Sequence, residues 1–268
     1  MRKLLRRVSV VILVVLAIAA VASLWLPVSA SEQMRDAIDA APSWRLPLGA
    51  DDLGRDRLAR VLCGLRLSLL LSAAAACVST AIAGVVGGVA GWYGGRVEQL
   101  AMAVADLFVS LPWLFLLIMV RAALPLNVSP MVSIGLTFLL LGILGWAAPA
   151  RVIRAQARAV ADSDYLLQAR ASGCGRLRLF LKHLAPNLRP VLAAQFWICV
   201  PVYIVGEANL GLLGLGVSEP FVSLGGIIRE LQTETAFLAH PWILAPAIVL
   251  VLAPACLYFA RPEKEEAA

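Results

Sequence analysis

Long apolar runs, separated by short polar segments, dominate the chain. A helix that spans a membrane needs about 20 mostly apolar residues, and six of these runs are long enough. The predicted spanning helices cover residues 8–26, 67–90, 100–120, 131–149, 191–212 and 241–260. The pattern therefore predicts an all-α membrane protein with about six transmembrane helices, without a soluble domain or a long internal repeat.

These runs divide the chain into four parts. The first is an N-terminal transmembrane helix, and the second is an external loop rich in charge. A core of five further helices follows, whose longest cytoplasmic connection covers 150–190, and a short cytoplasmic tail ends the chain. In order, the four parts are residues 1–26, 27–66, 67–260 and 261–268.

Composition supports the same class of protein. Hydrophobic residues make up 61% of the 268 positions and charged residues 15%, and the mean hydropathy is +0.86. Ordinary globular chains are about 45–50% apolar and about 25% charged. A soluble fold of this length could not bury so much apolar surface, and the same numbers exclude a disordered chain, a disulfide scaffold and a coiled coil.

The distribution of basic residues predicts the orientation. With the N-terminus inside, 15 Lys and Arg residues lie on the cytoplasmic side and 8 on the other. Cytoplasmic loops carry the excess of Lys and Arg, so both termini are expected in the cytoplasm. Although the net charge is +6, the bases occupy short loops between apolar runs, and we expect no nucleic-acid partner.

The N-terminus has two interpretations. A basic start, an apolar stretch and Val28, Ser29 and Ala30 resemble a cleaved signal peptide. The apolar stretch covers 19 residues, however, and the hydrophobic part of a signal peptide usually has about 7–15. We therefore expect a retained helix. Cleavage would leave five helices in the same orientation.

The chain lacks the motifs of several enzyme classes. A phosphate-binding loop needs a lysine after glycine, and none of Lys3, Lys182 and Lys264 follows one. Neither His183 nor His240 belongs to an HExxH motif, and the five cysteines form no CxxC pair. We predict no catalytic residue, no metal site and no cofactor, and an energy source on another chain. A secondary transporter would more often show inverted repeats, and no matching halves are visible.

The longest cytoplasmic connection has the pattern of two short helices. Asp162 and Ser163 are residue types that cap a helix N-terminus, and Gly173 can end the helix in the left-handed conformation. A second short helix is predicted over 176–184, and Pro186 is expected to stop it. The product is either an amphipathic helix on the lipid surface or a docking knob for a cytoplasmic partner.

The first of these helices has a recognisable face. Tyr165, Leu166, Ala169 and Ser172 follow at three- and four-residue spacing, so they are expected on one side of it. Basic residues are expected on the other side.

The sequence of this connection resembles a known family. Residues 165–173, followed by 182–187, are similar to the EAA loop of permease subunits in ABC importers that depend on a binding protein. Residues 47–56, with the sequence PLGADDLGRD, resemble the signature of the second ("C-type") permease in the peptide and nickel branch. Further matches are residues 91–95, 151–156, 213–217 and 223–225, with Arg60, Gly64, Arg66, Ser68, Asp106, Pro112 and Pro220.

The chain departs from the family pattern at three positions. Leu167 stands where the loop usually has its glutamate, and Gln168 stands where it has its first alanine. Leu224 replaces a tryptophan that is usual in this branch.

The resemblance implies an all-α permease fold and a mechanism. In this family the short cytoplasmic helix inserts into a cleft of an ATPase subunit, and it passes the movement caused by ATP binding to the spanning helices. The positions implied for this coupling are Tyr165, Ala169, Arg170, Gly173 and Pro186.

The resemblance also implies partners. These are a homologous second permease, two ATPase subunits, an external substrate-binding protein and the lipid of the inner membrane. The translocation pathway would lie between the two permeases. Peptides are the expected cargo, with nickel or another small solute as the alternative.

The external loop carries six acids and six arginines. In the family this face meets the partner permease and the binding protein. The alternative is a solvated loop whose charges pair with one another. The signature positions within it are Gly49, Asp51, Gly54, Arg55 and Asp56.

Two acids lie inside apolar runs, Asp106 in the third and Glu207 in the fifth. A charge at the centre of a bilayer costs about 2.5–3.5 kcal/mol on insertion scales, so such residues usually face the protein interior or an aqueous path. Either they line or gate the pathway, or they have a structural role, as helix–helix hydrogen bonds or as residues near the membrane interface.

Overall fold

The computed structural model describes residues 2–25, 30–123, 129–217, 219–229 and 241–261. Helices dominate this part of the chain. Its β-type backbone pairing is limited, among the described residues, to an isolated antiparallel bridge between Ala50 and Asp56. The all-α prediction is confirmed. The helices are α1 (Arg2–Ala22), α2 (Arg57–Tyr93), α3 (Gly95–Ser110), α4 (Trp113–Ala123), α5 (Pro130–Leu144), α6 (Ala147–Ala161), α7 (Asp164–Ala171), α8 (Arg176–Leu179), α9 (Ala185–Leu212), α10 (Leu224–Ile228) and α11 (Ala245–Phe259).

Several helices are long and apolar enough to cross a membrane. Four qualify alone, and two bent pairs qualify if each pair is one span, so the described residues provide four to six spans. The single spans are Lys3–Ala22, Arg57–Tyr93, Arg176–Leu212 and Pro241–Phe259, and the bent pairs are α3 with α4 and α5 with α6. The six predicted runs agree with the upper end of this range.

Helix α2 begins at Arg57, ahead of the predicted start at residue 67. The Asp56 carboxylate accepts hydrogen bonds from the backbone N–H groups of Leu58 (2.9 Å) and Ala59 (3.3 Å). An aspartate in this position satisfies N–H groups that have no partner within the helix, and it therefore fixes the start. The predicted boundary between external loop and core at residue 66 lies inside α2.

The third predicted helix, over 100–120, is two helices joined at a sharp bend. Helices α3 and α4 are bent by 82°. Pro112 has no N–H to donate, and the residue before a proline is driven away from helical angles. Leu111 accordingly has extended geometry, with φ −81° and ψ 136°.

Pro186 does not stop a helix, contrary to the prediction. The chain is continuously helical from Arg176 to Leu212, and Pro186 lies in the first turn of α9. A π-helical turn over Phe180–Leu184 comes directly before it, and the Ala185 N–H donates to the Phe180 carbonyl, five residues back. This wider turn shifts the hydrogen-bond register just ahead of the proline, which lets the helix continue without the missing donor.

The chain forms two compact units, and the first comprises residues 1–73, 120–138 and 200–268. In this unit α1 packs along α11, and α10 also contacts α11. Ala20, Leu65, Leu224 and Ala253 form a buried cluster at these contacts. Outside these contacts α1 exposes apolar side chains, as expected of a helix in contact with lipid.

The second unit comprises residues 74–119 and 139–199. Its core gathers buried side chains from α2, α3, α6, α7, α8 and α9, including Trp92, Ile153 and Leu166, together with Trp146 just before α6. Helices α2 and α6 approach closely, because a Cβ atom on Gly91 would lie 2.6 Å from the Arg154 carbonyl oxygen. Small residues permit this kind of close helix packing in membranes.

Helix α6 extends beyond the predicted end at residue 149, as far as Ala161. Ile153, Ala157 and Val160 are buried at three- and four-residue spacing, whereas Arg151 and Arg158 are exposed. A helix with one buried apolar face is stable at a protein surface. The prediction ended the helix too early because the charged residues on its other face interrupt the apolar run.

Candidate functional site

Helix α7 of the second unit lies within the segment that resembles the coupling loop. Gly173 follows it with a φ of +81°, in the left-handed region. The Gly173 N–H donates to the Arg170 carbonyl (3.0 Å), and the Cys174 N–H donates to the Ala169 carbonyl (3.2 Å). These bonds satisfy carbonyls at the end of the helix, so the predicted left-handed termination at Gly173 is confirmed.

Ser163 is the N-cap residue of α7, as predicted, but neither its side chain nor that of Asp162 makes the expected capping hydrogen bond. The Ser163 hydroxyl donates to the Val160 carbonyl at 2.5 Å, and Asp162 pairs with the Arg158 Nε at 2.8 Å. The Ser163 hydroxyl therefore satisfies a carbonyl at the end of α6, and Asp162 pairs with an α6 side chain, so neither side chain accepts from the N–H groups of α7.

The predicted common face of α7 is divided. Leu166 is fully buried and Ala169 is half-buried against the core, but Tyr165 and Ser172 are exposed. An eight-residue helix on a surface can bury only a narrow stripe, and Leu166 and Ala169 occupy it.

Two side-chain contacts connect α7 to long helices of the same unit. The Asn187 side-chain amide of α9 donates to the Tyr165 hydroxyl at 3.0 Å. The Arg170 guanidinium lies over the ring of Trp92, which belongs to α2, 5.0 Å from its centroid. With the burial of Leu166, these contacts attach α7 to both helices.

The outward surface around α7 exposes apolar side chains. Leu167, Leu177 and Leu181 have exposed fractions of 50%, 73% and 58%. A Cβ atom on Gly173 would meet nothing within 4 Å, so this position faces open space. The structure thus brings Tyr165, Ala169, Arg170 and Gly173 together, while Pro186 lies in α9 next to Asn187.

Asp106 occupies an ion-pair ladder between α3 and α6. Its carboxylate lies 3.4 Å from the Arg151 Nε, and its side chain is 58% exposed. About two turns before Asp106 in α3, Glu98 pairs with Arg154 of α6. Asp106 is therefore not a deeply buried charge, which the apolar run alone did not reveal.

Glu207 is fully buried in the first unit, where it joins three helices. The Ser68 hydroxyl of α2 donates to its carboxylate at 3.5 Å, and the Leu224 N–H of α10 donates to that hydroxyl at 3.3 Å. Ser223 and Gly225 also face the carboxylate. Polar groups inside a membrane protein need such partners, and Ser68 links α9 to α2 and α10.

The signature loop, which the sequence predicts to be external, is organised around Asp51, which is fully buried. Its carboxylate accepts from the backbone N–H groups of Leu53 (3.0 Å) and Arg55 (2.8 Å) and from the Arg55 Nε (2.7 Å). Gly49 and Gly54 flank it with φ of +69° and +71°, conformations that glycine adopts without strain.

Glu219, far along the chain, completes this network. Its Oε1 accepts from the Arg55 Nη1 (2.9 Å) and the Arg60 Nη2 (3.2 Å), and the Arg60 Nε lies 3.4 Å from Asp51. Burial lowers the pKa of Arg55, but the hydrogen bonds and negative charges of Asp51 and Glu219 outweigh it and raise the pKa above its usual value. Arg55 therefore remains charged.

Arg60 and Glu219 were not identified as a pair from sequence. They are 159 residues apart, and no local pattern connects them. The loop is self-paired in part, as the alternative interpretation of its charges predicted, but it also reaches the segment before α10.

Residues 83–260 match the family described as binding-protein-dependent transport system inner membrane component. The chain belongs to this family. The resemblance inferred from the loop and signature motifs is confirmed, and the helical architecture of the described residues agrees with the permease fold that it implies.

Similar proteins carry permease names. The chain is 31% identical to the dipeptide transport system permease protein DppC of Bacillus subtilis over 205 residues, which are 76% of this chain and 62% of that protein. It is 32% identical to the oligopeptide transport system permease protein OppC of Mycobacterium bovis over 233 residues, which are 86% of this chain and 78% of that protein.

Family membership gives the described helices their setting. As an inner membrane component, the protein lies in a membrane, and the apolar surfaces of its spans face lipid or other subunits. The family departures have distinct environments, since Leu167 is half-exposed on α7 and Leu224 is fully buried at the start of α10.

Proposed function

We propose that this permease is one of two homologous transmembrane subunits of an ABC importer for peptides. Its partners are a second permease, two ATPase subunits that hydrolyse ATP and an external substrate-binding protein. The family match supports the transport role, and the names of the dipeptide and oligopeptide relatives support the cargo.

The observation that carries the proposal is the double attachment of α7. Leu167, Leu177 and Leu181 offer an apolar docking surface to an ATPase, while the opposite side of α7 is fixed to α2 and α9. A push on α7 therefore reaches both long helices through Arg170 and Tyr165. A helix that merely rests on lipid would not need these two polar contacts.

Affinity purification tests the assembly. The tagged chain is extracted from native membranes in mild detergent, and the co-purified proteins are identified by mass spectrometry. Two ATPase chains and a second permease are expected. Recovery of the tagged chain alone, in several detergents, would contradict the proposal and leave α7 as a lipid-facing helix.

A charge at Gly173 tests the docking surface. Gly173→Asp places a carboxylate in open space at the end of α7, where we expect it to prevent ATPase recovery without loss of membrane insertion. Gly173→Asn is the matched control, because it has nearly the same size and tolerates positive φ but carries no charge. Normal ATPase recovery with Gly173→Asp would refute docking at this surface.

We also propose that α7 and both termini are cytoplasmic. In a variant without the five native cysteines, Ser172→Cys and Trp44→Cys are labelled with a maleimide that cannot cross membranes. Trp44→Cys should react in spheroplasts, and Ser172→Cys only after permeabilisation. The reverse pattern of labelling would show that the proposed orientation is wrong.

A further inference from the structure

A cavity of about 280 Å³ lies in the first unit, between the start of α2, the end of α9 and α10. A space of roughly 10–15 Å³ is enough for one water, so this cavity can hold a small organic molecule. Much of its wall is backbone, contributed by Gly211, Gly214 and Gly216. Its charged lining consists of Arg60, Glu219 and Arg229.

The charges on one side of the cavity are balanced. Arg55 and Arg60 face Asp51 and Glu219 in a network of hydrogen bonds and ion pairs of 2.7–3.4 Å. Two guanidinium groups thus meet two carboxylates, and this side carries no net charge. Glu219 is the accessible member, with 55% of its side chain exposed.

Arg229 adds a third guanidinium to the lining. No carboxylate among the described residues lies within ion-pair distance of it. Its guanidinium is near Gly214, since a Cβ atom on that glycine would lie 3.4 Å from the Arg229 Nη1. The described lining therefore has one positive charge in excess, and it favours an anionic ligand.

We propose that this cavity binds the terminal carboxylate of a peptide cargo, through Arg229 with support from Arg60. Guanidinium groups bind carboxylates through paired, charge-assisted hydrogen bonds, and the backbone walls leave room for a short main chain. Glu219 on the same wall can receive the peptide ammonium group. This inference rests on the proposed function, because it names the chemical group of the cargo that the permease recognises.

Binding of two matched peptides tests the site. The full chain is inserted into lipid nanodiscs, and equilibrium binding of radiolabelled trialanine is compared with that of trialanine amide, which lacks the carboxylate. Wild-type protein should bind trialanine about tenfold more tightly, as expected for a hydrogen-bonded charge. Arg229→Gln should abolish this preference, and Arg229→Lys should retain part of it.

Arg45→Gln is the control, because it makes the same substitution at an exposed arginine of the predicted external loop that does not line the cavity. It should keep the full preference for trialanine. Equal binding of the two peptides by wild type, no binding of trialanine, or an unchanged preference in a folded Arg229→Gln variant would each overturn the proposal.

A transport assay separates this proposal from the function on which it rests. The co-purified complex is reconstituted in proteoliposomes, and ATP-dependent uptake of both peptides is measured. Uptake of trialanine and its amide at equal rates would overturn the carboxylate site and leave the importer function intact. Absence of ATP-dependent uptake of either peptide would overturn the peptide importer itself.

Discussion

The side-chain amide of Asn187 donates a hydrogen bond of 3.0 Å to the Tyr165 hydroxyl and thereby connects α7 to α9. Tyr165→Phe removes the hydroxyl and keeps the ring. Such a hydrogen bond contributes about 0.5–1.5 kcal/mol, so we expect ATP-driven transport to fall by roughly two- to tenfold. ATPase recovery in affinity purification should remain normal.

Tyr258→Phe is the control for this substitution. Tyr258 is an exposed tyrosine of α11, and its ring stacks with the Arg261 guanidinium. Removing its hydroxyl should leave transport unchanged. Equal transport by wild type and Tyr165→Phe would show that this bond does not carry the movement.

The conformation at Gly173 predicts a graded series of variants. Its φ of +81° lies in the left-handed region, which is disfavoured by about 1–2 kcal/mol for most residues. Asn tolerates this conformation, whereas a β-branched residue adopts it least readily. Gly173→Val should therefore disrupt the end of α7 more than Gly173→Asn. Limited proteolysis of purified protein would measure this as faster cleavage near residue 173. Identical cleavage rates would contradict a role for the left-handed backbone.

Two neighbouring glycines of α2 predict different stabilities. A Cβ atom on Gly87 would lie 3.0 Å from the Arg154 nitrogen and 3.1 Å from the Ile153 Cβ in α6, whereas one on Gly88 would have its nearest contact at 3.5 Å. Gly87→Ala should destabilise the protein by about 1–3 kcal/mol through overpacking. Gly88→Ala should have little effect. Thermal unfolding in detergent distinguishes the two variants, and equal melting temperatures would refute the close approach.

Glu207 predicts a difference between transport and assembly. Glu207→Gln retains the size of the side chain but changes the acceptor for the Ser68 hydroxyl, which in turn accepts from the Leu224 N–H. We expect transport to fall more than recovery of the partner subunits. Glu207→Ala should also lower the melting temperature, because it leaves polar groups buried without partners. Equal loss of transport and assembly in Glu207→Gln would favour a purely structural role.

The Arg55 network predicts a stability effect that does not depend on pH over the ordinary range. Arg55→Gln leaves the buried Asp51 with one guanidinium partner fewer, and breaking a buried pair costs about 3–5 kcal/mol. The pKa of Arg55 is raised above its ordinary value, so its contribution to stability is complete throughout the ordinary pH range and is lost only in strong base.

The melting temperature checks this prediction. The difference between wild type and Arg55→Gln should be the same at about pH 7 and about pH 10, since Arg55 is charged at both values. Arg45→Gln, in the exposed part of the loop, should melt like wild type. A difference that shrinks between pH 7 and pH 10 would contradict the raised pKa.

Much of the architecture could be predicted because lipid imposes a simple rule. Apolar runs of sufficient length must become helices that satisfy their own backbone hydrogen bonds, and this gave the helical class and the number of spans. The left-handed end of α7 was also local information, because Gly173 adopts positive φ without a steric penalty.

The predicted helix boundaries were wrong where hydrogen bonding or packing continues a helix through polar residues or a proline. Asp56 starts α2 among arginines that the hydropathy pattern assigned to a loop, and α6 continues through a charged stretch because one face is buried. Pro186 was expected to end a helix, but the π-helical turn before it shifts the hydrogen-bond register. These outcomes depend on neighbours and on hydrogen bonds that a run of apolar letters does not encode.

The sequence by itself thus determined a helical inner membrane permease and the segment that resembles its coupling loop. Only the tertiary structure decided which side chains act together. Tyr165 with Asn187, Arg170 with Trp92 and Arg60 with Glu219 are separated by 22 to 159 residues. Such pairs form because packing brings distant helices within hydrogen-bonding reach, and no local spacing rule predicts that contact.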